Sequence, residues 1–149
     1  MRITEAVPED HQALTELTIE SKSYWGYSES QIKEWGPDLR ITREYIEQKK
    51  VFKLSVEDKI IAYYSYYSIK NKEILLDNMF VSPLFIRKGI GGVLMNHFLE
   101  QAVSEKKLSI TTYSDPNSEA FYIHFGFEVI GREPTSIENR FLPILRKVL

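Results

Sequence analysis

The stretch from residue 73 to residue 113 constrains the fold of this chain more than any other. Ile74–Val81 is nearly all apolar, as a strand buried on both faces should be. Pro83 ends it, and Gly89, Gly91 and Gly92 lead into a segment over about 90–106. Its Val93, Leu94, Phe98, Leu99, Ala102 and Val103 suit a helix lying flat on a sheet. A second strand pattern, Leu108–Tyr113, follows. A strand, a helix and a strand in that order form a crossover, and the two strands must run parallel.

The flanking segments fill in an α/β order. Residues 2–6 alternate as a short strand, and Pro8, Glu9 and Asp10 open a helix whose Ala13, Leu14, Leu17 and Ile19 form an apolar face to about Ser21. Ser23–Ser28 breaks that pattern, and a short helix over 29–35 is expected to stop at Gly36-Pro37. Thr42 caps a helix over 43–49. Val51–Glu57 and Ile60–Lys70 make a hairpin, and Asn71-Lys72 turns into the strand beginning at Glu73. Asp115-Pro116 starts a helix that Gly126 ends, and strands over Phe127–Arg132 and Phe141–Val148 close the chain. The hairpins are antiparallel and the crossover is parallel, so the sheet is mixed. With no repeat, low-complexity tract or long linker, residues 1–149 read as one domain.

Charge and residue usage remove several function classes. Lys plus Arg number 19 against 21 Asp plus Glu, a net charge of −2, so no overall basic footprint invites nucleic acid. A nucleic-acid reading would have to use the pairs Arg87-Lys88 and Lys106-Lys107. The absence of cysteine excludes disulfides, thiolate metal sites and a cysteine nucleophile. His11, His97 and His124 lack ligand spacing, so no metal is expected. The start has no apolar signal core, and no run nears the roughly 18 apolar residues of a membrane span. The expectation is a cytoplasmic protein without nucleic-acid or membrane partners.

The glycine-rich loop lets backbone N–H groups approach an anion at a positive helix end, with Arg87 and Lys88 as mobile cations beside it. A dinucleotide fingerprint would need glycine where Leu94 stands, and no glycine precedes a lysine as in a Walker A loop. Taken alone, the loop reads equally well as tight strand–helix packing.

A second motif lies about 25 residues downstream. Val81-x-Pro-(x)5-Gly-x-Gly is followed by Pro116-Asn-(x)2-Ala-Phe-Tyr-(x)3-Gly-Phe. Together they resemble the GNAT superfamily of acetyl-CoA-dependent N-acetyltransferases, over nearly the whole chain. The resemblance implies a single-domain, mixed, mostly antiparallel central sheet with helices on both faces, and acetyl-CoA as co-substrate. It also implies that the backbone of Arg87, Lys88, Gly89, Ile90, Gly91 and Gly92 holds the CoA pyrophosphate. By the same carry-over, main-chain groups of Met79, Phe80 and Val81 pair with the pantetheine arm, Asn117 hydrogen-bonds it, and Tyr122 sits near the thioester sulfur. The family usually places Arg or Gln three residues before the first loop glycine. This chain has Ile86 there, with Arg87 one place late.

Acyl transfer from a thioester to an amine requires loss of an amine proton, stabilisation of an oxyanion and departure of a thiolate. Tyr122 is the candidate general acid, since a phenol pKa of about 10 lies above a thiol's, about 8.5. Asp77 interrupts an apolar strand, where burial would raise its pKa toward that of a useful base. The competing expectation is that backbone groups or a Tyr hydroxyl satisfy it. Glu73 is a weaker candidate base, and the Val81 N–H is the expected oxyanion donor. Tyr24, Trp25 and Tyr27 are candidate walls for the acceptor, and one pair among Tyr63, Tyr64, Tyr66 and Tyr67 could join them. A small primary amine would then attack acetyl-CoA directly in a ternary complex. A non-catalytic acyl-CoA sensor of the same fold is the alternative. The edge strand and the apolar C-terminal strand are compatible with a homodimer.

Overall fold

A computed structural model describes residues 1–135, 137 and 139–149, and the described residues form seven strands and five α-helices. The elements are β1 (Arg2–Glu5), α1 (His11–Tyr24), α2 (Glu29–Leu39), α3 (Arg43–Gln48), β2 (Lys50–Val56), β3 (Lys59–Lys70), β4 (Glu73–Val81), α4 (Ile90–Ser104), β5 (Ser109–Tyr113), α5 (Glu119–His124), β6 (Glu128–Pro134) and β7 (Phe141–Val148). The strands form one mostly antiparallel sheet in the order β1-β2-β3-β4-β5-β7-β6. The expected crossover is there: β4 and β5 run parallel from Glu73↔Ser109 to Leu76↔Thr112. Contacts gather the residues into two compact units, Met1–Ser65 with Asn78–Asn96, and Tyr66–Asp77 with His97–Leu149.

In the first unit, Leu14, Leu17, Ile41, Ile46, Val51 and Tyr63 form a buried cluster, with Tyr45 and Phe80 packed against it. α1 buries Leu14, Leu17, Thr18 and Ser21, a helical face at i, i+3, i+4 and i+7. That face differs from the expected one: Ala13 is exposed, and two hydroxyl residues take part. Each finds a partner, Thr18 at the Tyr63 hydroxyl and Ser21 at the Val81 carbonyl, so burying them leaves no orphaned group. The helix therefore continues past Ser21 to Tyr24. α2 also outruns expectation, passing through Gly36-Pro37 to Leu39. Pro37 falls in the last turn, where one backbone bond is forgone, and the buried Leu39 draws that turn inward.

In the second unit, β7 pairs antiparallel with β5 and with β6, and the β6 ladder shifts register between Val129 and Gly131. Phe98, fully buried on α4, lies 5.2 Å from the Tyr66 ring, and Tyr66 donates its hydroxyl to Glu105 at 2.6 Å. Gly126 closes α5 at φ +89, and an added methyl there would meet Lys147 Nζ at 2.6 Å. The lysine can swing aside but the backbone cannot. Gly126→Ala should cost about 1–2 kcal/mol, read as a lower urea midpoint. Gly126→Asn should lose less, since Asn tolerates left-handed geometry.

Candidate functional site

The first unit carries the end of β4 and the loop behind it. Met79, Phe80 and Val81 are half-buried, and Phe80 tilts against Tyr63 at 5.9 Å. Ser21 Oγ donates to the Val81 carbonyl at 2.7 Å, and the Ser82 N–H donates to the Ile61 carbonyl at 2.7 Å. The peptide joining Val81 to Ser82 is thus held from both ends. A single 3₁₀ turn, Pro83–Phe85, follows. Arg87 and Gly89 then both adopt left-handed backbone, φ +65 and +79.

Left-handed residues just before a helix turn successive N–H groups toward a common concavity. The Val93 N–H bonds back to the Gly89 carbonyl at 3.2 Å, and the N–H groups of a helix's first turn have no intrahelical acceptor. The loop and the start of α4 therefore offer donors and a positive helix end together. Arg87, Lys88 and Gly89 are exposed, with the Lys88 ammonium 5.6 Å from the Phe85 ring. Arg87 holds a glycine-like geometry at a cost of about 1 kcal/mol. Ile86 is half-buried, so Arg87 and Lys88 are the side chains of this loop that carry charge into solvent.

The aromatic segment lies in the same unit. Tyr24 ends α1 and meets Trp25 edge-on at 5.0 Å, and both are exposed. Half-buried Tyr27 packs edge-on at 4.8 Å against Trp35 of α2, a partner the sequence pattern did not single out. The Lys22 ammonium sits 5.6 Å from the Trp35 ring, and Ser28 caps α2 by accepting the Gln31 N–H. Tyr63 and Tyr64 are fully buried. Asn78, which also interrupts the apolar run of β4, donates Nδ2 to Ser65 Oγ at 2.9 Å and to Tyr45 Oη at 3.2 Å. Its amide nitrogen is thus taken up by two hydroxyls distant in sequence.

The second unit carries Tyr122, Asp77 and Asn117. Tyr122 is only 6% exposed and is clasped edge-on by Phe121 at 5.3 Å and Phe127 at 5.4 Å. Burial pushes its phenol well above the ordinary range, the Thr112 hydroxyl pulls the other way, and the Asp115 charge adds to the rise. Thr112, itself buried, donates Oγ1 to the Leu76 carbonyl at 2.9 Å, at the last rung of the β4–β5 ladder.

Asp115 caps the turn Pro116–Ser118 by accepting the Asn117 N–H at 2.9 Å. It also accepts Asn117 Nδ2 at 2.7 Å and Arg140 Nη2 at 3.1 Å. Asp77 departs from expectation, because it is exposed rather than buried. The ladder of β4 with β5 ends one residue earlier, at Leu76. The neighbourhood of Asp77 is tyrosine-rich: burial raises the Tyr67 phenol, and Asp77 and then Tyr113 push it further.

Met79–Val81, the glycine loop and the aromatic segment therefore belong to one unit, and Asp77, Asn117 and Tyr122 to the other. Ser21, Thr112 and Arg140 are the residues that sequence reasoning missed. Each acts through one long-range hydrogen bond that no local spacing announces.

A model of the acetyltransferase (GNAT) domain matches residues 26–144. No curated protein matches the chain by sequence. Among solved structures, the PaiA N-acetyltransferase of Thermoplasma acidophilum in complex with coenzyme A superposes with a TM-score of 0.81 at 19% identity, covering 99% of this chain and 98% of that one. An aminoglycoside 6'-N-acetyltransferase complexed with coenzyme A gives 0.76 at 14% identity, covering 99% and 97%. The ribosomal-protein-S18-alanine N-acetyltransferase of Escherichia coli gives 0.74 at 18% identity, covering 99% and 92%. These likenesses show a shared fold.

Proposed function

Since the chain belongs to the GNAT acetyltransferase family, we propose that it moves an acetyl group from acetyl-CoA to the primary amine of a small acceptor, by direct attack in a ternary complex. The observation that carries this reading is the left-handed pair Arg87 and Gly89 opening α4, a backbone cradle suited to a pyrophosphate. Two structures of the same fold, the PaiA and aminoglycoside enzymes, are complexes with coenzyme A. In this reading residues 1–149 serve as one acetyltransferase domain. Backbone groups of 87–92 take the diphosphate, the main chain of Met79–Val81 and the side chain of Asn117 take the pantetheine arm, and Tyr24, Trp25 and Tyr27 wall the acceptor.

The chemistry follows from the groups available. The amine nitrogen forms a bond to the thioester carbon, and the carbon–sulfur bond breaks as the oxyanion collapses. The Val81 N–H steadies that oxyanion. The proton lost by nitrogen passes to Asp77, whose exposure lets it release the proton to water. Tyr122 faces the departing sulfur. With its phenol raised by burial above a thiol's pKa of about 8.5, complete proton transfer is uphill. Tyr122 therefore acts by donating a hydrogen bond to the developing thiolate. No cysteine exists to form an acyl-enzyme, which favours direct attack.

Calorimetric titration with acetyl-CoA, CoA and NAD tests the first half of this reading. One-to-one binding of both CoA species with NAD silent is the expected result, and no binding of CoA would remove it. Thiol release with a panel of small amines tests the second half, and CoA binding without turnover on any amine would favour the sensor. Asp77→Asn should lower kcat/KM about 100-fold, at the low end for a general base because water can partly substitute.

A further inference from the structure

The connections of the Asp115 side chain go beyond capping a turn. Oδ1 accepts both the backbone N–H and the side-chain Nδ2 of Asn117, at 2.9 and 2.7 Å. Oδ2 accepts Arg140 Nη2 at 3.1 Å. The two side chains of this ion pair are 13% and 10% exposed, so the contact is largely withdrawn from water, where removing one partner is costly. Arg140 lies 25 positions away and is itself fixed. Its N–H donates to the Ile137 carbonyl at 3.1 Å, and its carbonyl accepts from the Thr135 N–H at 3.1 Å and Thr135 Oγ1 at 2.9 Å. The Ser114 N–H to Pro143 carbonyl bond, 3.0 Å, ties the same turn to β7.

An amide that donates its nitrogen inward presents its carbonyl oxygen on the opposite side, and the Asn117 side chain is exposed. Free to rotate, it would offer oxygen and nitrogen equally. We propose that Arg140 is a positioning residue: by fixing the Asp115 carboxylate, it sets the Asn117 amide so that its oxygen meets an N–H donor of the ligand. On the acetyl-CoA reading above, on which this inference rests, that donor is an amide N–H of the pantetheine arm. The nucleotide half of CoA makes no such demand, so the Arg140–Asp115 pair discriminates between the two halves of one ligand.

The experiment is calorimetric titration of Arg140→Gln, Arg140→Lys, Asn117→Ala and the double variant Asn117→Ala/Arg140→Gln. The probes are CoA and 3′-phospho-ADP, which lacks the pantetheine arm. Arg140→Gln should weaken CoA about tenfold, the effect of one lost hydrogen bond, and leave 3′-phospho-ADP within about twofold. Arg140→Lys keeps the charge without the planar fork and should weaken CoA by about threefold, which carries the test if the glutamine variant does not fold. In the Asn117→Ala background, Arg140→Gln should add nothing.

Equal weakening of both probes would reduce the pair to general scaffolding and overturn the inference. So would an unchanged CoA affinity in both Arg140 variants, or effects of Asn117 and Arg140 that simply multiply. If wild type binds neither probe, the acetyl-CoA reading itself has failed. If it binds both and Asn117→Ala changes neither, the fault lies in the role given to Asn117.

Discussion

Tyr122→Phe should lower kcat by about 100-fold or more while leaving acetyl-CoA affinity within about twofold. The substitution keeps the ring that Phe121 and Phe127 clasp, so shape and packing persist and only the hydroxyl is lost. A donor aimed at developing charge in a water-poor site contributes most at the transition state, which places the loss in kcat. The pH profile supplies a second readout. A phenol held above its ordinary pKa of about 10 stays protonated across the neutral and mildly alkaline range. Tyr122 should therefore contribute no alkaline fall in kcat below about pH 10. Wild-type turnover in Tyr122→Phe would assign the leaving-group role to another donor.

Gly89→Val should weaken CoA binding by tenfold or more. Gly89 stands at φ +79 with open space where a side chain would project, so steric crowding by neighbours does not limit the position. The backbone does. Left-handed geometry costs an ordinary L-residue about 1–2 kcal/mol and a β-branched one more, comparable to the 1.4 kcal/mol of a tenfold change in affinity. The loop relieves that strain by moving φ to negative values, which turns its N–H groups away from their common concavity. Titration with CoA reads the loss, and a thermal melt separates it from unfolding. Gly89→Val binding CoA as wild type does would show that the diphosphate is held elsewhere.

The parts of this protein legible in its sequence are those written in neighbouring residues. The crossover 73–113, the glycine loop and the Pro116–Phe127 motif each depend on short-range spacing, and the crossover stands in the structure as the parallel β4–β5 pair. The length of α2 was not legible, because burial of Leu39 outweighs the local signal of Gly36-Pro37. The exposure of Asp77 was not legible either. An apolar run implies burial throughout, yet Asp77 is exposed between buried Leu76 and half-buried Asn78, because burial of a strand residue depends on what covers its face of the sheet. Arg140 left no trace at all, since its partner is 25 residues distant and the two meet only through tertiary structure.

The left-handed Arg87 has a bearing on how the loop could change over evolutionary time. Its strain is borne by the folded chain before any ligand arrives, so the binding event need not supply it; this is pre-organisation. Stability and grip are therefore drawn from one source. A substitution that let residue 87 relax would be welcomed by the fold and resented by the ligand. Thermostability selected without regard to activity would erode this loop early, and residue 87 is where that erosion would begin.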